Sequence, residues 1–560
     1  MSTYNTHFIN ITQLHLTTGI RTTEFESEDR QQLNLIILGF GLLKFLIHLF
    51  TLEGYGLHAD ELYYIELSRH LSWGYLDISP FVTWISWISE ILFGNATFSF
   101  RVLPCLFSSA TVIATGYITK LLGGKRLAVI IACSALICSP SFLATSYLLQ
   151  PAVFDQFFWT LLILAVIAYQ QHKKTSWLYL AALALGIGML NKYSILLLAA
   201  SILLAILIIT PASIGRHVKK LSGPVLLCVF IILPNLIWQF FHGLPILHYT
   251  ASVGKNNFEI DLWDYLLQLF FFHGASVAIW TAGLIYLWFE RKDLEQLKYW
   301  TITFLIVTIS LTFLKGKLYY GLGIFPLLFA AGGHCWAQML TRKSISMNIF
   351  FIGMIYFFAL LSLPIVIPIF SVETCRAYSR KMIALTDFSR PLRYEDGSQG
   401  GIPQFFADMT GWQELTSRVN SIANTQISEN KKGIYILTNN YAIAGALKFY
   451  GKPGIPKVIS PDNSFLLYSP DQLNMRTIIY LSKDSPQMVD RLAKNVKLLG
   501  KLSTENSHIN GLYIYRLIIP SLAMKQKYVM DRIKFYPDYG KKINLFQNIS
   551  SSGSSSFLTN

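Results

Sequence analysis

The residues able to do chemistry gather in the short stretches between apolar runs. His58-Ala-Asp-Glu-Leu-Tyr-Tyr64 sets two adjacent carboxylates, Asp60 and Glu61, beside two phenols, Tyr63 and Tyr64. Asp77 follows in Gly74-Tyr-Leu-Asp-Ile-Ser-Pro80, and Asp155 stands in an otherwise uncharged stretch after Gln150-Pro-Ala-Val-Phe154. Cations occupy comparable places. Arg101 begins an apolar run, Lys192 lies in Asn191-Lys-Tyr193, and Lys315 and Lys317 lie in Lys315-Gly-Lys-Leu-Tyr-Tyr320. A carboxylate can accept a proton while cations steady an anionic leaving group where water is scarce, so this combination suits group transfer at a membrane surface. Lys44 and His273 lie deeper in apolar runs, where ionisable groups are rare and point to function by default.

Each of these residues also has a plainer reading. Asp60 before the amphipathic Leu62, Tyr63, Ile65, Leu67, Leu71 and Trp73 fits the cap of an interfacial helix as well as it fits a catalyst. Asp155 fits a helix cap, and Lys192 and Lys315 fit snorkelling at helix ends. Lys44 can reach the interface, and His273 can bond a neighbouring helix.

The elements that must position these groups are membrane helices. Of 560 residues, 53% are hydrophobic and 14% charged, where a soluble chain carries about a quarter charged residues. Apolar runs occur at 32–50, 102–119, 127–146, 156–170, 177–190, 194–210, 222–241, 264–289, 299–314, 319–340 and 347–370. Most approach the ~20 residues that cross ~30 Å of hydrocarbon. They predict a polytopic α-helical membrane protein with about eleven transmembrane helices. The first run has no basic segment before it and no small-residue cleavage site after it, so it reads as an uncleaved helix. Five of the six cysteines lie in apolar runs, which leaves no disulfide framework and no zinc spacing.

The net charge of +15 is explained by loops rather than by a nucleic-acid partner. With residues 1–31 in the cytoplasm, one set of alternate loops holds Lys120, Lys125, Arg126, Lys173, Lys174, Arg216, Lys219, Lys220, Arg291, Lys292, Lys298, Arg342 and Lys343. The opposite set holds Arg69, Arg101, Lys192, Lys255, Lys315 and Lys317 over more chain. The positive-inside rule then puts the long first loop, 51–100, and everything after the last helix outside the cytoplasm, in a cell inner membrane.

After Phe370 the periodicity changes. Gly433–Thr438, Lys457–Ser460, Thr477–Ser482 and Leu512–Leu517 read as strands, and Gln404–Asn420, Ala442–Tyr450 and Pro486–Leu499 as helices. Residues 371–520 are therefore expected to form a small extracytoplasmic α/β domain after the transmembrane region 32–370. Residues 521–560, basic and then Ser-rich, read as a disordered tail.

The order of these segments resembles the protein O-mannosyltransferase-like group of GT-C membrane glycosyltransferases, family 39, which includes the lipid A aminoarabinose transferase. The resemblance runs through Asp60-Glu61, Gly74–Pro80, Phe100-Arg-Val-Leu-Pro104, Phe154-Asp-Gln156, Leu190-Asn-Lys-Tyr193 and Lys317-Leu-Tyr-Tyr320. It continues in Pro403-Gln-Phe-Phe-Ala-Asp-Met-Thr-Gly-Trp412 and Tyr441-Ala-Ile-Ala-Gly-Ala446, and covers roughly residues 35–520. It implies transfer of a sugar, with inversion, from a polyprenyl-phosphate donor to an extracytoplasmic acceptor such as lipid A, a lipid-linked glycan or a protein hydroxyl. Asp60 would then be the acidic residue at the reaction centre with Glu61 beside it, and Asp155 a second acidic position. Arg101, Lys192 and Lys317, with Lys315, would serve the lipid phosphate. Many relatives carry His, Gln or Lys and then Pro-Pro after the position of Asp77, whereas this chain has Ile78-Ser79-Pro80. A polar contact made there in relatives is absent here or supplied elsewhere.

The chemistry is consistent with that resemblance. A sugar on a phosphate already has a good leaving group, so what remains is to deprotonate the acceptor, align it and stabilise phosphate charge. No Asp-x-Asp occurs, and the Asp293-Leu-Glu295 sequence falls in a cytoplasmic loop, so a nucleotide-sugar enzyme is the less natural reading. No cofactor is required by these residues, and a divalent metal is left open. The competing class is a secondary transporter or lipid flippase. Transporters place polar groups at the bilayer midplane in repeated halves, whereas these carboxylates lie at one face and no repeat is evident.

Overall fold

In the computed structural model the described residues are 11–256, 262–289, 297–387, 389–429 and 433–533. Arg291, Lys292, the Asp293-Leu-Glu295 sequence and the Ser-rich end of the tail lie outside them. Among the described residues seven helices are long and apolar enough to cross a membrane: Arg30–Leu49, Thr97–Leu121, Pro151–His172, Lys220–Phe241, Leu266–Phe289, Leu318–Leu340 and Ile345–Val366. Five shorter apolar helices accompany them: Phe81–Phe93, Arg126–Cys138, Ser176–Asn191, Ile195–Ile209 and Lys298–Phe313. Large apolar side chains such as Leu42, Phe230, Phe240, Phe350 and Leu360 face outward. A lipid environment makes that arrangement favourable.

Two departures from the apolar-run reading have local causes. Phe81–Phe93 lies inside the stretch read as a long loop. At 13 residues it is shorter than a full span, and it packs through Val82, Thr83, Ile85, Ser86 and Ser89 while Trp87, Ile91 and Leu92 are exposed. The 127–146 run is broken between Arg126–Cys138 and Pro140–Ala144, because Pro140 cannot donate to the preceding turn. Lys44 and His273 attend that break. Lys44 Nζ donates to the Phe142 carbonyl at 3.0 Å, and His273 Nδ1 lies 2.9 Å from Ser139 Oγ. Irregular backbone at membrane depth persists where protein groups of this kind satisfy it.

The C-terminal sheet contains β1 (Ile434–Thr438), β2 (Lys457–Ile459), β3 (Thr477–Ser482), β4 (Ala493–Lys501) and β5 (Tyr513–Pro520), in the order β2-β1-β3-β5-β4. The first three pair in parallel, and β5 runs antiparallel to both β3 and β4. Period-two alternation divides its side chains. Ile436, Val458, Ile479 and Ile514 join the core shared with the helix Tyr441–Tyr450, while Leu437, Ile459, Ile478, Tyr480 and Leu517 pack with Met524 and Tyr528.

Three local expectations are corrected here. Residues 486–499 are not one helix, because only Pro486–Val489 is α-helical before β4 begins. Pairing with β5 across a bulge at Leu498/Gly500 decides that segment. The 404–420 helix is split into Gln404–Ala407 and Trp412–Glu429 around Gly411, whose φ of +88° suits glycine. The tail begins as the helix Leu522–Ile533, in which Met524, Tyr528 and Arg532 are buried at successive turns.

Candidate active site

The adjacent carboxylates Asp60 and Glu61 point to different environments because they sit in the first turn of the helix Ala59–Ser68. The N-cap is His58 rather than Asp60. His58 Nδ1 accepts from Asp60 N at 3.1 Å, and Glu61 Oε2 accepts from His58 N at 2.8 Å. This is a capping box with histidine in the usual Ser/Thr position.

Glu61 is fully buried. Its Oε1 accepts from Leu149 N at 2.9 Å and Arg101 Nε at 3.0 Å, and its Oε2 from Arg101 Nη2 at 2.7 Å. Burial pushes its carboxyl up, but Arg101 and the backbone donors outweigh that and hold it below the usual range. Arg101, itself buried, also donates to the Leu52 and Gly56 carbonyls at 2.8 and 2.6 Å. Both oxygens of Glu61 are thus occupied by the chain's own donors, and Arg101 is turned inward.

Asp60 remains open, with 29% of its side chain exposed. Tyr441 Oη donates to its Oδ1 at 2.7 Å and Gln150 Nε2 to its Oδ2 at 2.9 Å. Its charge is felt at Tyr64, Tyr441 and Lys317. Lys317 pairs with Glu395. Burial alone would lower the Lys317 ammonium, but Glu395, Tyr320 and Asp60 together raise it, so it stays charged. Lys192 Nζ lies 3.2 Å from the centroid of the Tyr320 ring and 5.5 Å from that of Tyr319. Such cation–π contacts draw an ammonium to the face of a ring.

Asp155 is not a cap, because its helix begins four residues earlier at Pro151. Ser194 Oγ donates to its two oxygens at 3.0 and 2.8 Å, and Lys192 supplies the facing charge. Asn191 Nδ2 donates to the Pro151 carbonyl at 2.9 Å, so the Asn191–Ser194 turn is latched to the start of that helix at both ends. Lys315 occupies the left-handed turn after Lys298–Phe313. His273 stays at the helix break, its ring 4.0 Å from that of Phe325.

Asp77 faces the C-terminal domain. Its Oδ1 accepts from Tyr63 Oη at 2.7 Å and from the Ser464 hydroxyl, while Ser464 N donates to Tyr63 Oη at 2.8 Å. Burial raises the Asp77 carboxyl to about 6 in spite of these donors. Asp408, from the same domain, accepts on its carbonyl from Ala59 N at 2.9 Å. Its carboxylate lies 3.8 Å from His58 Nε2 and 3.5 Å from His508 Nδ1. Among the described residues no three His, Cys, Asp or Glu side chains form a group able to hold a metal.

The structure therefore brings Asp60, Tyr64, Lys192 and Lys317 into one neighbourhood, with Asp155 behind Lys192. It leaves Arg101, Glu61 and His273 in internal contacts. Gln150, Tyr441 and His58 were not singled out from the sequence. Each lies in a segment notable for other reasons, but nothing in the order of residues signals contacts across 90 and 381 positions.

The sequence model described as dolichyl-phosphate-mannose-protein mannosyltransferase matches residues 77–238. No curated protein matches the chain. Among solved structures, ArnT from Cupriavidus metallidurans in the apo state is similar at a TM-score of 0.55 and 12% identity, over 86% of this chain and 97% of that one. The same protein bound to undecaprenyl phosphate gives 0.55 and 13% over the same shares. The chain has the GT-C fold. The arabinofuranosyltransferase AftD from Mycobacteria is similar at a TM-score of 0.46 and 12% identity, over 88% of this chain and 40% of that one. The GT-C resemblance read from the sequence is borne out, and the family-model match supports a transferase.

Proposed function

We propose that this GT-C chain is an inverting glycosyltransferase that moves a sugar from a polyprenyl-phosphate donor to an acceptor hydroxyl on the extracytoplasmic side of the inner membrane. The observation that carries the reading is the half-open Asp60 carboxylate in the neighbourhood of two charged lysines, Lys192 and Lys317. Asp60 takes the acceptor's proton as that oxygen attacks the anomeric carbon from the face opposite the phosphate. The carbon–oxygen bond to phosphate breaks, and the polyprenyl phosphate leaves with the bonding pair. Lys192 and Lys317 then face the charge that grows on it. Glu61 and Arg101 position the helix that carries Asp60, Asp155 orients Lys192, and Tyr64 stands buried beside Asp60. The sequence match to a family acting from dolichyl-phosphate-mannose supports a lipid-linked donor, as does the undecaprenyl phosphate held by ArnT. The loop-charge asymmetry supports the orientation, with residues 1–31 in the cytoplasm and 371–520 outside.

The test is donor preference. The purified full chain in lipid nanodiscs is expected to consume a polyprenyl-phosphate sugar, with polyprenyl-phosphate mannose as the first probe, and to leave nucleotide sugars untouched. Turnover of a nucleotide sugar without any turnover of lipid-linked donors would overturn the reading.

A further inference from the structure

We infer that Tyr441, carried by the C-terminal domain, is a positioning residue for Asp60, so that the site is incomplete without that domain. The inference rests on the proposed role of Asp60 and goes beyond it by assigning the domain a part in the chemistry.

The two oxygens of Asp60 are held by donors from distant parts of the chain. Tyr441 serves Oδ1 and Gln150 serves Oδ2, one donor each. Each oxygen keeps room for a further donor, and the side chain remains 29% exposed. The carboxylate is therefore fixed in orientation yet open on one side, as a base that must meet an incoming hydroxyl requires.

Tyr441 is placed there by a close helix–helix contact. The helix Tyr441–Tyr450 lies alongside Ala59–Ser68 with Tyr441 at Asp60, Gly445 at Leu62–Tyr63, and Lys448 Nζ 3.0 Å from Glu66 Oε1. A Cβ on Gly445 would come within 2.9 Å of the Leu62 carbonyl oxygen and 3.2 Å of Tyr63 N. The two backbones touch at this point, which only glycine allows. At its own helix start Tyr441 is fixed again. Its N donates to Asp462 Oδ2 at 2.9 Å, Asn440 caps the turn through Ile443 N at 3.0 Å, and its ring centroid lies 5.0 Å from that of Tyr63. Burial first, and then the charge of Asp60, push the Tyr441 phenol well above its ordinary value, so its hydroxyl keeps the proton that it donates. The domain is also joined to this region through Gly445, Lys448, Ser464 and Asp408. The phenol adds a hydrogen bond to the open carboxylate of the neighbourhood.

Tyr441→Phe removes a single oxygen and keeps the ring. The deciding measurement needs no substrate: infrared difference spectroscopy of the full chain through a pH series, with the Asp60 carboxyl band identified by its loss in Asp60→Asn. A carboxylate deprived of a charge-assisted donor holds its proton more tightly, so in Tyr441→Phe this band is expected to appear about one pH unit higher. With a donor that the wild-type chain consumes, kcat is expected to fall roughly ten- to hundredfold with an unchanged donor KM, and the acidic limb of the rate profile to move up. Lys448→Met weakens docking without touching Asp60 and should leave the band in place. A band unmoved in Tyr441→Phe, or moved as far by Lys448→Met, overturns the inference. A moved band in a chain that turns over no lipid-linked sugar would support Tyr441 and refute the transferase reading instead.

Discussion

Arg101 and Glu61 form an ion pair with no exposed surface, Nη2 to Oε2 at 2.7 Å, immediately beside the carboxylate that stays open, Asp60. The pair ties the 52–56 turn, the capped helix and the Leu149 turn together through one carboxylate and one guanidinium. Taking two charges out of water is unfavourable, so removing either partner strands the other. Arg101→Ala should therefore cost about 3–5 kcal/mol of stability, seen as a lower melting temperature in detergent. Full stability in that variant would show that the pair is dispensable.

Asp60→Asn should leave stability intact, because the cap is His58. The rate should fall ~10²–10⁴-fold, as expected when a general base is lost. His58→Ala should do the opposite, costing about 1 kcal/mol of stability through the lost cap with a smaller effect on rate per folded molecule. Near-normal turnover by Asp60→Asn would move attention to Asp155.

Asp77 links the first loop to Ser464 and carries a distinct pH signature. Its carboxyl lies at about 6 in the folded chain against 3.8 as a free side chain. The folded state thus binds the proton more tightly, and the stability this contributes is complete below 3.8 and lost as pH rises through about 6. Asp77→Asn keeps an acceptor for Tyr63 and Ser464 but does not titrate. Melting temperatures followed from pH 4 to 7 should fall more steeply in wild type than in Asp77→Asn, and parallel curves would contradict the assignment.

The orientation can be read with single cysteines in a Cys375→Ser background. Ser176 and Ser398 are both exposed, so a difference between them reports sidedness rather than burial. In intact cells a cysteine at 398 should react with an impermeant thiol reagent, and one at 176 should not. Labelling at 176 alone would invert the topology.

Much of the fold was legible because lipid imposes long apolar runs, and because β1, β2, β3 and β5 carry β-branched and aromatic residues. Two elements escaped for different reasons. Phe81–Phe93 is apolar enough but has only 13 residues, short of the ~20 that cross the hydrocarbon, so a search for long runs passes over it. β4, which carries Lys494, Lys497 and Lys501 along with Val496 and Leu499, owes its conformation to β5 rather than to its own pattern. At the site, residue type and order pointed to Asp60 and the lysines. What sequence spacing could not show is which carboxylate of Asp60-Glu61 is consumed internally, since that depends on Arg101 and Leu149, 40 and 88 positions away from Glu61.

Those separations also have a kinetic meaning. The Glu61 carboxylate collects its donors only after the capped helix, the helix bearing Arg101 and the Leu149 turn have each formed and met. A contact that forms after the folding transition state acts on the escape rate and hardly on the rate of arrival, and the distances along the chain place this ion pair in that class as a prediction. Weakening this ion pair should shorten the lifetime of the finished protein in the membrane while newly made chains mature at their usual pace.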